Sequence, residues 1–580
     1  MARGFARRVL RRCGYVSAAG IVGAAVFDVT NDHVISRSAR TLINAIRIGQ
    51  MYKATDPETA QELSDLHRAA AQIILDTCLT NEGLYIKMGQ GLHAFNHILP
   101  EEYLQTLRVL LDKAPEVPLE VVRSIFLKET GHSRFEDVFE SFNPIPVASA
   151  SIAQVHKARM RRGDTGEVVD VAVKIQKPNI RKQIWWDLQC YFLVCRMLQY
   201  AFDLPLMWSA QCIAENLTKE IDFFAEAENS ERAKDLLKHR HDIHIPCVYR
   251  DLLTPRLIVS EWIDAVKLVE VETVKKQFNS ADVMQSVLSA FGEMVFELGF
   301  VHCDPHPANL MIRKNQNPKN KKPFEVIIID FGLCVPETKK FRLEYSLLFK
   351  TIFRGDRDML KKIVQSWGIG NADLFASLTI QKPFTSQSMR SGQVSKSDIM
   401  AMEHQMKDHV KNLLAREELV PQELVFVGRS MNLLRSVNKS YGAPVNRINI
   451  MAGCAVRALG HLATLDDVHA VLQGLDQASI EKRARKRDQI RGAMFEFHYH
   501  AILTWLAVVH LTTLWCNAVL AVLLPKKWAE HFYVGNLEEQ LEQKEKEMIQ
   551  RSNHSSNSSS MSFENKMQKF HKPMNIAAND

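Results

Sequence analysis

Two polar segments in the middle of the chain carry the residue types and the spacing that phosphoryl transfer needs. In the first, Asp304 is followed five residues later by Asn309, and the second is the tripeptide Asp-Phe-Gly at 330–332. A carboxylate beside the acceptor can orient it or take its proton, and an amide with a second carboxylate can hold Mg²⁺. We therefore expect Asp304 to act at the acceptor, and Asn309 and Asp330 to bind the magnesium ion of a complex with ATP or ADP.

A lysine earlier in the chain has the position expected of a ligand to the nucleotide phosphates. Apolar residues recur at every second position over 169–175, which predicts a strand with Lys174 near its end. The run Val-Ala-Val-Lys that closes at Lys174 matches the strand lysine that pairs with the α- and β-phosphates in kinases. Lys174 lies 130 residues before Asp304, the separation that two kinase lobes require.

Three features of ordinary protein kinases are missing. The glycine-rich phosphate loop is replaced by Ala148, Ser149, Ala150 and Ser151, and their Cβ atoms hinder the close backbone approach that glycine allows. His306 stands where a lysine usually follows the catalytic aspartate by two residues, and no Ala-Pro-Glu follows the Asp-Phe-Gly tripeptide. These departures predict that nucleotide binding is kept while the platform for a peptide substrate is not.

The overall composition is that of a folded protein rather than of a nucleic-acid binder. The 580 residues are 46% hydrophobic and 24% charged, and the formal net charge is only +7. No zinc-finger spacing, basic zipper or aromatic RNA platform occurs, so we expect no nucleic-acid partner. Ten cysteines without a CxxC pair predict free thiols in a reducing compartment.

The N-terminal residues suggest a targeting signal, and a segment near the C-terminus suggests contact with a membrane. The first 27 residues contain five arginines and no acid, which is typical of a mitochondrial presequence; a secretory signal or a plain basic arm are the alternatives. Residues 501–524 carry no formal charge and are long enough for a membrane span, with lysine and arginine on both sides. A buried helix of the globular domain is the alternative for that segment.

Four separate motifs, in this order, resemble the UbiB/aarF/ADCK family of atypical kinases, also known as ABC1 proteins. They are Lys87-Met88-Gly89-Gln90 (KxGQ), the alanine-rich Ala148–Ser151, Glu220-Ile221-Asp222 (ExD) and the loop from His302 to Asn309 (HxDPHPxN). The resemblance covers roughly residues 60–465, and the stretches Gly91–His97 and Gly442–Val445 are most similar to one particular branch. Two departures are Ser149 within the alanine-rich loop, and Phe331 where close relatives often have histidine.

The resemblance implies roles for further residues. The KxGQ helix would fold over the active site, so that Lys87 and Gln90 occupy the place of a peptide substrate and join Asp304 and Lys174 as catalytic candidates. Glu220, Asp222 and Glu226 are candidates to pair with the two lysines, and the sequence leaves open which acid pairs with which lysine. The expected nucleotide-binding residues are Ala148, Ser149, Ala150, Ser151, Lys174, Glu220, Asp222, Glu226 and Glu261.

The residue patterns along the chain, such as apolar side chains at spacings of three and four in the helical extension, predict its organisation together with the resemblance. We expect an α+β, protein-kinase-like fold of two lobes with a helical extension before it and a hydrophobic helix near the C-terminus. The expected segments are a targeting segment at 1–30, the helical extension at 31–135, the sheet-containing lobe at 136–264, the helical lobe at 265–480, a membrane-associated or membrane-spanning helix at 495–525, and a charged helix with a disordered tail at 526–580.

These observations together predict an atypical kinase or ATPase that uses Mg²⁺ and a nucleotide. The resemblance implies a role in mitochondrial lipid or coenzyme Q-type metabolism at the inner membrane, with a lipid or membrane surface as a partner. Two alternatives stay open. One is a membrane-anchored pseudokinase scaffold whose nucleotide state controls a partner, and the other is a true serine/threonine protein kinase.

Overall fold

The computed structural model describes residues 26–30, 33–55, 57, 59–92, 100–112, 116–162, 166–202, 207–369, 372–380, 421, 423–460, 462 and 464–473. The predicted presequence, apart from residues 26 and 27, lies outside these ranges, and so do the apolar segment 501–524 and the C-terminal tail. Among the helices within these ranges, none combines the length and the hydropathy of a membrane-spanning segment.

Helices make up the first part of the described chain. They are α1 (Val34–Ala54), α2 (Ala60–Asn81), α3 (Leu84–Leu92), α4 (Glu101–Leu107), α5 (Val109–Asp112) and α6 (Leu119–Thr130). Local residues set some of their ends. Thr59 accepts a hydrogen bond from the N–H of Glu62 at the start of α2, and Gly131 adopts the left-handed conformation that ends α6. The extension expected over 31–135 therefore contains two long helices, of 21 and 22 residues, followed by shorter ones.

A sheet-containing lobe follows the helical extension. Its elements are β1 (Phe139–Phe142), β2 (Ala148–Ser149), β3 (Ala153–Arg161), β4 (Val168–Gln176), α7 (Ile180–Phe202), α8 (Met207–Glu220), α9 (Phe223–Leu236), β5 (Ile243–His244) and β6 (Leu257–Glu261). The antiparallel sheet has the order β1-β3-β4-β6, with β2 paired to β3. Val171, Val173 and Ile175 are buried on one face of β4, so Lys174 points to the opposite face.

A buried ion pair fastens the helical extension to this lobe. The Arg37 Nη2 atom of α1 lies 2.7 Å from the Asp187 Oδ2 atom of α7, and both side chains are almost fully buried. The same guanidinium lies over the ring of Tyr85 in α3, 5.5 Å from its centroid. The three helices α1, α3 and α7 are thus joined at one charged contact.

The second lobe is mostly helical. Its elements are β7 (Val266–Lys267), α10 (Val271–Gln277), α11 (Ser280–Glu293), β8 (Phe300–His302), β9 (Leu310–Lys314), β10 (Phe324–Ile328), β11 (Cys334–Pro336), α12 (Lys339–Arg354), α13 (Arg357–Ser366), α14 (Ala372–Ile380), α15 (Glu423–Ser440), α16 (Arg447–Leu459) and α17 (Leu465–Leu472). The large side chains Phe296, Phe300 and Phe349 lie in its core. A separate buried cluster lies under the sheet of the first lobe. The mixed helix and sheet character that the sequence predicted is confirmed.

Two short strand pairs bring the polar segments of the second lobe together. Strand β9 pairs with β10, and β8 pairs with β11, both antiparallel. The N–H of Cys303 donates to the carbonyl of Leu333 (3.0 Å), and the N–H of Ile329 donates to the carbonyl of Asn309 (3.1 Å). The loop between β8 and β9 therefore lies beside the Asp-Phe-Gly turn between β10 and β11.

Candidate active site

The loop between β8 and β9 holds Asp304 and Asn309 in a tight turn. The N–H of His306 donates to the carbonyl of Asp304 at 2.7 Å. The Asn309 amide nitrogen Nδ2 lies 3.3 Å from the same carbonyl and 3.5 Å from Asp304 Oδ2. Since the amide nitrogen is turned to Asp304, the amide oxygen of Asn309 is left as an acceptor for a cation.

The Asp-Phe-Gly turn directs the Asp330 carboxylate towards the first lobe. Its Oδ1 atom accepts a hydrogen bond from the N–H of Gly332 at 2.9 Å, and its Oδ2 atom lies 3.8 Å from Lys174 Nζ. The buried imidazole of His302 holds the Asp330 carbonyl. Burial opposes the charge of Asp330, but Lys174 and the Gly332 N–H outweigh it, and its pKa is lowered. The carboxylate is therefore kept ionised.

Lys174 is paired with Glu226. Its ammonium nitrogen lies 2.6 and 2.8 Å from the two carboxylate oxygens of Glu226, in the first turn of α9. Burial works against the charge on Lys174, yet the carboxylates of Asp330 and Glu226 raise its pKa. The arrangement has the geometry of the strand-lysine and helix-glutamate pair of protein kinases.

Lys87 is paired with a different acid, Glu220. The Lys87 Nζ atom of α3 lies 2.9 Å from Glu220 Oε2, at the end of α8. Burial disfavours the charged form, but Glu220 first and Asp304 next raise the pKa of Lys87. The KxGQ lysine is thus within electrostatic reach of the acceptor-side aspartate, and the pairing left open by the sequence is Lys87 with Glu220 and Lys174 with Glu226.

The third acid of the ExD region has a local role. The Asp222 carboxylate caps α9 by accepting a hydrogen bond from the N–H of Phe224 at 3.2 Å, and Arg181 lies 3.9 Å away. The structure does not bring Asp222 to either lysine. Its cap separates α8 from α9, which is why Glu220 and Glu226 reach different partners.

The glutamine and glycine of the KxGQ motif fix α3 rather than face Asp304. The Gln90 side-chain amide donates to the carbonyl of Leu110 in α5 at 2.8 Å. A Cβ atom on Gly89 would lie 2.4 Å from Leu110 Cδ1 and 3.1 Å from Cys78 Sγ, so any side chain here would force Leu110 to shift. The structure therefore brings Lys87 to the site and uses Gln90 and Gly89 to position the helix that carries it.

The alanine-rich segment forms a tight turn beside the sheet. Ala148 and Ser149 form β2, paired with Val155 and Gln154 of β3. The N–H of Ala150 donates to the carbonyl of Ala153 at 2.8 Å, and Ser151 is buried within the turn. The backbone of this turn is hydrogen-bonded to β3 and within the turn itself. This is consistent with a segment that does not enclose phosphates as a glycine-rich loop does.

Glu261, at the end of β6, uses its carboxylate away from the two lysines. Both of its oxygens lie 3.1 Å from His244 Nε2, and the N–H of Cys247 donates to one of them at 3.2 Å. Burial opposes the charge, but these contacts lower the pKa of Glu261. The side chain fastens β6 to the preceding loop, so any contact with a nucleotide from this position would come from the backbone.

Arg429 is a site residue that the sequence reasoning missed. Its Nη2 atom, on α15, lies 3.3 Å from Asp304 Oδ1. The available signal was the absent lysine of the catalytic loop: His306 leaves Asp304 without a nearby cation in the sequence. The Nδ1 atom of His306 instead accepts a hydrogen bond from the N–H of Ala308 at 3.2 Å.

Comparison with known proteins identifies the class. The ABC1 atypical kinase-like domain matches residues 109–364, which run from α5 to α13. An ABC1 family protein of Schizosaccharomyces pombe is 34% identical over 458 residues, covering 77% of this chain and 84% of that protein. The chain belongs to the ABC1, or UbiB/aarF, family of atypical kinases, as its motifs predicted, and it is a phosphotransferase.

Other relatives carry kinase names. AarF domain-containing protein kinase 1 of Mus musculus is 29% identical over 478 residues, covering 78% of this chain and 88% of that protein. The probable serine/threonine-protein kinase abkD of Dictyostelium discoideum is 32% identical over 436 residues, with 74% and 62% coverage. These matches do not confirm the particular branch of the family that two short stretches suggested.

One solved structure is also similar. The complex of Rv3197 with erythromycin from Mycobacterium tuberculosis covers 69% of this chain and 97% of that chain, with 22% identity and a TM-score of 0.43.

Proposed function

We propose that the chain uses a Mg²⁺-bound nucleotide to phosphorylate a small or lipid-linked acceptor, or water, and that it does not act on generic proteins. The observation that carries this proposal is the second lysine–acid pair. Lys87 lies on α3, a helix that ordinary protein kinases do not have at this place, pairs with Glu220 of α8, and is within electrostatic reach of Asp304.

The nucleotide end of the site has the parts that phosphoryl transfer uses. Lys174, held by Glu226, would contact the α- and β-phosphates. Asp330 and Asn309 present the oxygen ligands that Mg²⁺ prefers, because the Asn309 amide nitrogen is turned to Asp304 and the Asp330 carboxylate stays ionised. These two residues fit a magnesium ion, which would offset the phosphate charges when bound.

The acceptor end is organised by Asp304. Its carboxylate would orient the acceptor hydroxyl or water, or take its proton, while Arg429 holds one of its oxygens. Since Lys87 is within electrostatic reach of Asp304, α3 would restrict the space available to a folded protein substrate. The closed alanine-rich turn, with Cβ atoms at Ala148 and Ala150, would limit how the loop closes over the terminal phosphate.

The cellular setting is a further part of the proposal. We infer a mitochondrial protein of lipid or coenzyme Q-type metabolism at the inner membrane, supported by family membership and by the five arginines and absence of acids in the first 27 residues. The uncharged segment 501–524 supports a membrane partner from sequence alone.

ATP turnover of the purified full chain tests the proposal. We expect Asp304→Asn to lower kcat by about 10²- to 10⁴-fold, the usual effect of removing an acid–base group. Asp235→Asn, an exposed position on α9, is the matched control and should equal the parent. A parent without turnover would favour the scaffold alternative, and strong labelling of generic proteins would favour a serine/threonine protein kinase.

A further inference from the structure

One face of α7 exposes an unusual set of large apolar side chains. Trp186, Leu193, Met197 and Tyr200 are all exposed, and Tyr200 retains 96% of its accessible surface. Their spacings of seven, four and three residues place them on one stripe of the helix. Trp185 lies next to the stripe and is 58% exposed. A contiguous apolar stripe on the surface of a helix usually marks a site that binds another protein or a membrane.

Among the described residues outside α7, only Phe27 makes a ring contact with this stripe, and the packing of α7 in the lobe uses its other side. The opposite side of α7 is already buried: Leu188 packs with Leu84 of α3 and Leu217 of α8, and Asp187 holds Arg37 of α1. The inner side of α7 therefore supports the two helices that carry Lys87 and Glu220. Its outer side makes no contribution to that core.

The segment 26–30 extends the same apolar surface. The rings of Phe27 and Trp186 meet edge to face with their centroids 6.3 Å apart. Val26 and Val29 beside Phe27 are also exposed. In the sequence this segment continues an apolar run that begins at Val16 and is preceded by five arginines.

The exposed charged side chains of α7 itself all have one sign, and Arg181 also lies 3.9 Å from Asp222 of the neighbouring element. The exposed charged residues of α7 are Arg181, Lys182 and Arg196, whereas its single acid, Asp187, is buried. Tryptophan and tyrosine together with lysine and arginine are the residues that favour the boundary between lipid headgroups and acyl chains. A second copy of the same face would bring like charges together, so it is a poorer occupant.

We propose that this face of α7, with residues 26–30, docks on the surface of a bilayer that contains anionic lipids. The apolar stripe enters the headgroup region and the cations contact lipid phosphates. This inference rests on the proposed function, because it assigns a surface to its membrane partner. It places α3, the helix that carries Lys87, one helix layer from the membrane, where a lipid-linked acceptor can approach the site.

Photo-crosslinking from the stripe tests the docking directly. Leu193 of the full chain is replaced with a photoreactive benzophenone amino acid and incubated with phosphatidylcholine vesicles that contain phosphatidylglycerol. The matched control carries the same group at Ile145, an apolar position between β1 and β2 that is more exposed than Leu193. We expect lipid adducts from position 193 and none from position 145. Vesicle-bound chain without a lipid adduct at 193, or a 193 adduct to a second copy of the chain, would overturn the proposal.

Charge variants test the preference for anionic lipid. Each cation near an anionic surface contributes about 1 kcal/mol, so Lys182→Gln with Arg196→Gln should lower crosslinking from position 193 by roughly tenfold or more. Adduct yield on pure phosphatidylcholine should be low for both proteins. Equal yields on the two kinds of vesicle would contradict the assignment. Nucleotide turnover of the same samples distinguishes the two proposals. Turnover without lipid adducts would contradict only the proposed docking surface. Lipid adducts without turnover would contradict only the proposed function.

Discussion

At the scale of single residues, the site depends on which carboxylate each lysine reaches. The distances assign Glu220 to Lys87 and Glu226 to Lys174, while Asp330 approaches Lys174 and Arg429 approaches Asp304. Each charged group near the reacting phosphates is therefore held by a partner of opposite sign. Such pairing orients the side chains before a nucleotide binds.

Asp330 should matter only when the metal is present. Asp330→Asn removes a charged ligand of Mg²⁺, and we expect nucleotide binding with Mg²⁺ to weaken by about tenfold, equivalent to ~1.4 kcal/mol. Titration of a fluorescent nucleotide with and without Mg²⁺ measures this. Binding without Mg²⁺ serves as the control and should change little. An affinity that is unchanged in the presence of Mg²⁺ would remove Asp330 from the metal site.

Arg429 should act on the chemical step through Asp304. Arg429→Ala removes the cation that holds the Asp304 carboxylate, and we expect kcat to fall by about tenfold with nucleotide affinity unchanged. Arg429→Lys should restore part of the rate, since it keeps the charge without the planar fork. Arg435→Ala on the same helix is the control. A loss of nucleotide affinity or of folding, with kcat preserved in the folded fraction, would contradict this positioning role.

The sequence could predict some of these residues and not others for a physical reason. Asp304, Asn309 and Asp330 lie in short motifs whose spacing alone defines their roles. The choice between Glu220 and Asp222 depends instead on where α8 stops: Glu220 ends α8 and reaches Lys87, whereas Asp222, two residues later, caps α9. Arg429 comes from a helix far along the chain, so no local spacing could connect it with Asp304.

At the scale of elements, the KxGQ helix α3 is held in place by close packing. Gly89 lies against Leu110 and Cys78, and Gln90 bonds to the backbone of α5. The helical extension and the strand around Lys174 were predictable from apolar periodicity. The role of Gln90 was not predictable in this way. The family resemblance placed Gln90 beside Lys87 at the site, whereas its side chain bonds to the backbone of the neighbouring helix α5.

Gly89→Ala tests that packing. The added methyl group would overlap Leu110 Cδ1, so we expect a loss of about 1–3 kcal/mol in the free energy of unfolding, with lower turnover as Lys87 shifts. Gly49→Ala is the matched control, because it is also a helical glycine, in α1, and has open space around it. It should be neutral or stabilising by up to about 1 kcal/mol. Denaturant unfolding of both variants checks this, and equal stabilities would contradict the packing account.

At the scale of the whole molecule, helix α7 links the site to the proposed membrane-docking face. Helix α7 has the site-supporting helices on its inner side and the exposed aromatic stripe on its outer side. The two-lobed α+β organisation followed from motif order and strand patterns. The exposed stripe did not, because exposure depends on which side of α7 its neighbours bury.

The mitochondrial localisation of the protein is a prediction at the scale of the whole molecule. Deleting residues 1–27 should abolish mitochondrial import, since this segment supplies the arginines and lacks acids. Replacing its arginines with lysine keeps the charge and should preserve import, which provides the control. Fluorescence localisation of the full chain and both variants measures this. Normal mitochondrial localisation of the truncated chain would reject the presequence.

The most direct test of the central claim follows the fate of a labelled terminal phosphate. The purified full chain is incubated with ATP labelled at the γ-phosphate and with generic protein substrates, beside Ala148→Gly and Asp304→Asn. We predict that the parent releases label to water or a small acceptor and labels proteins negligibly, because α3 and the alanine-rich turn restrict peptide access. Ala148→Gly should loosen the turn and raise autophosphorylation, and Asp304→Asn should lower all transfer by the same roughly 10²- to 10⁴-fold. Strong labelling of generic proteins by the parent, lost in Asp304→Asn, would contradict the account and define an ordinary protein kinase.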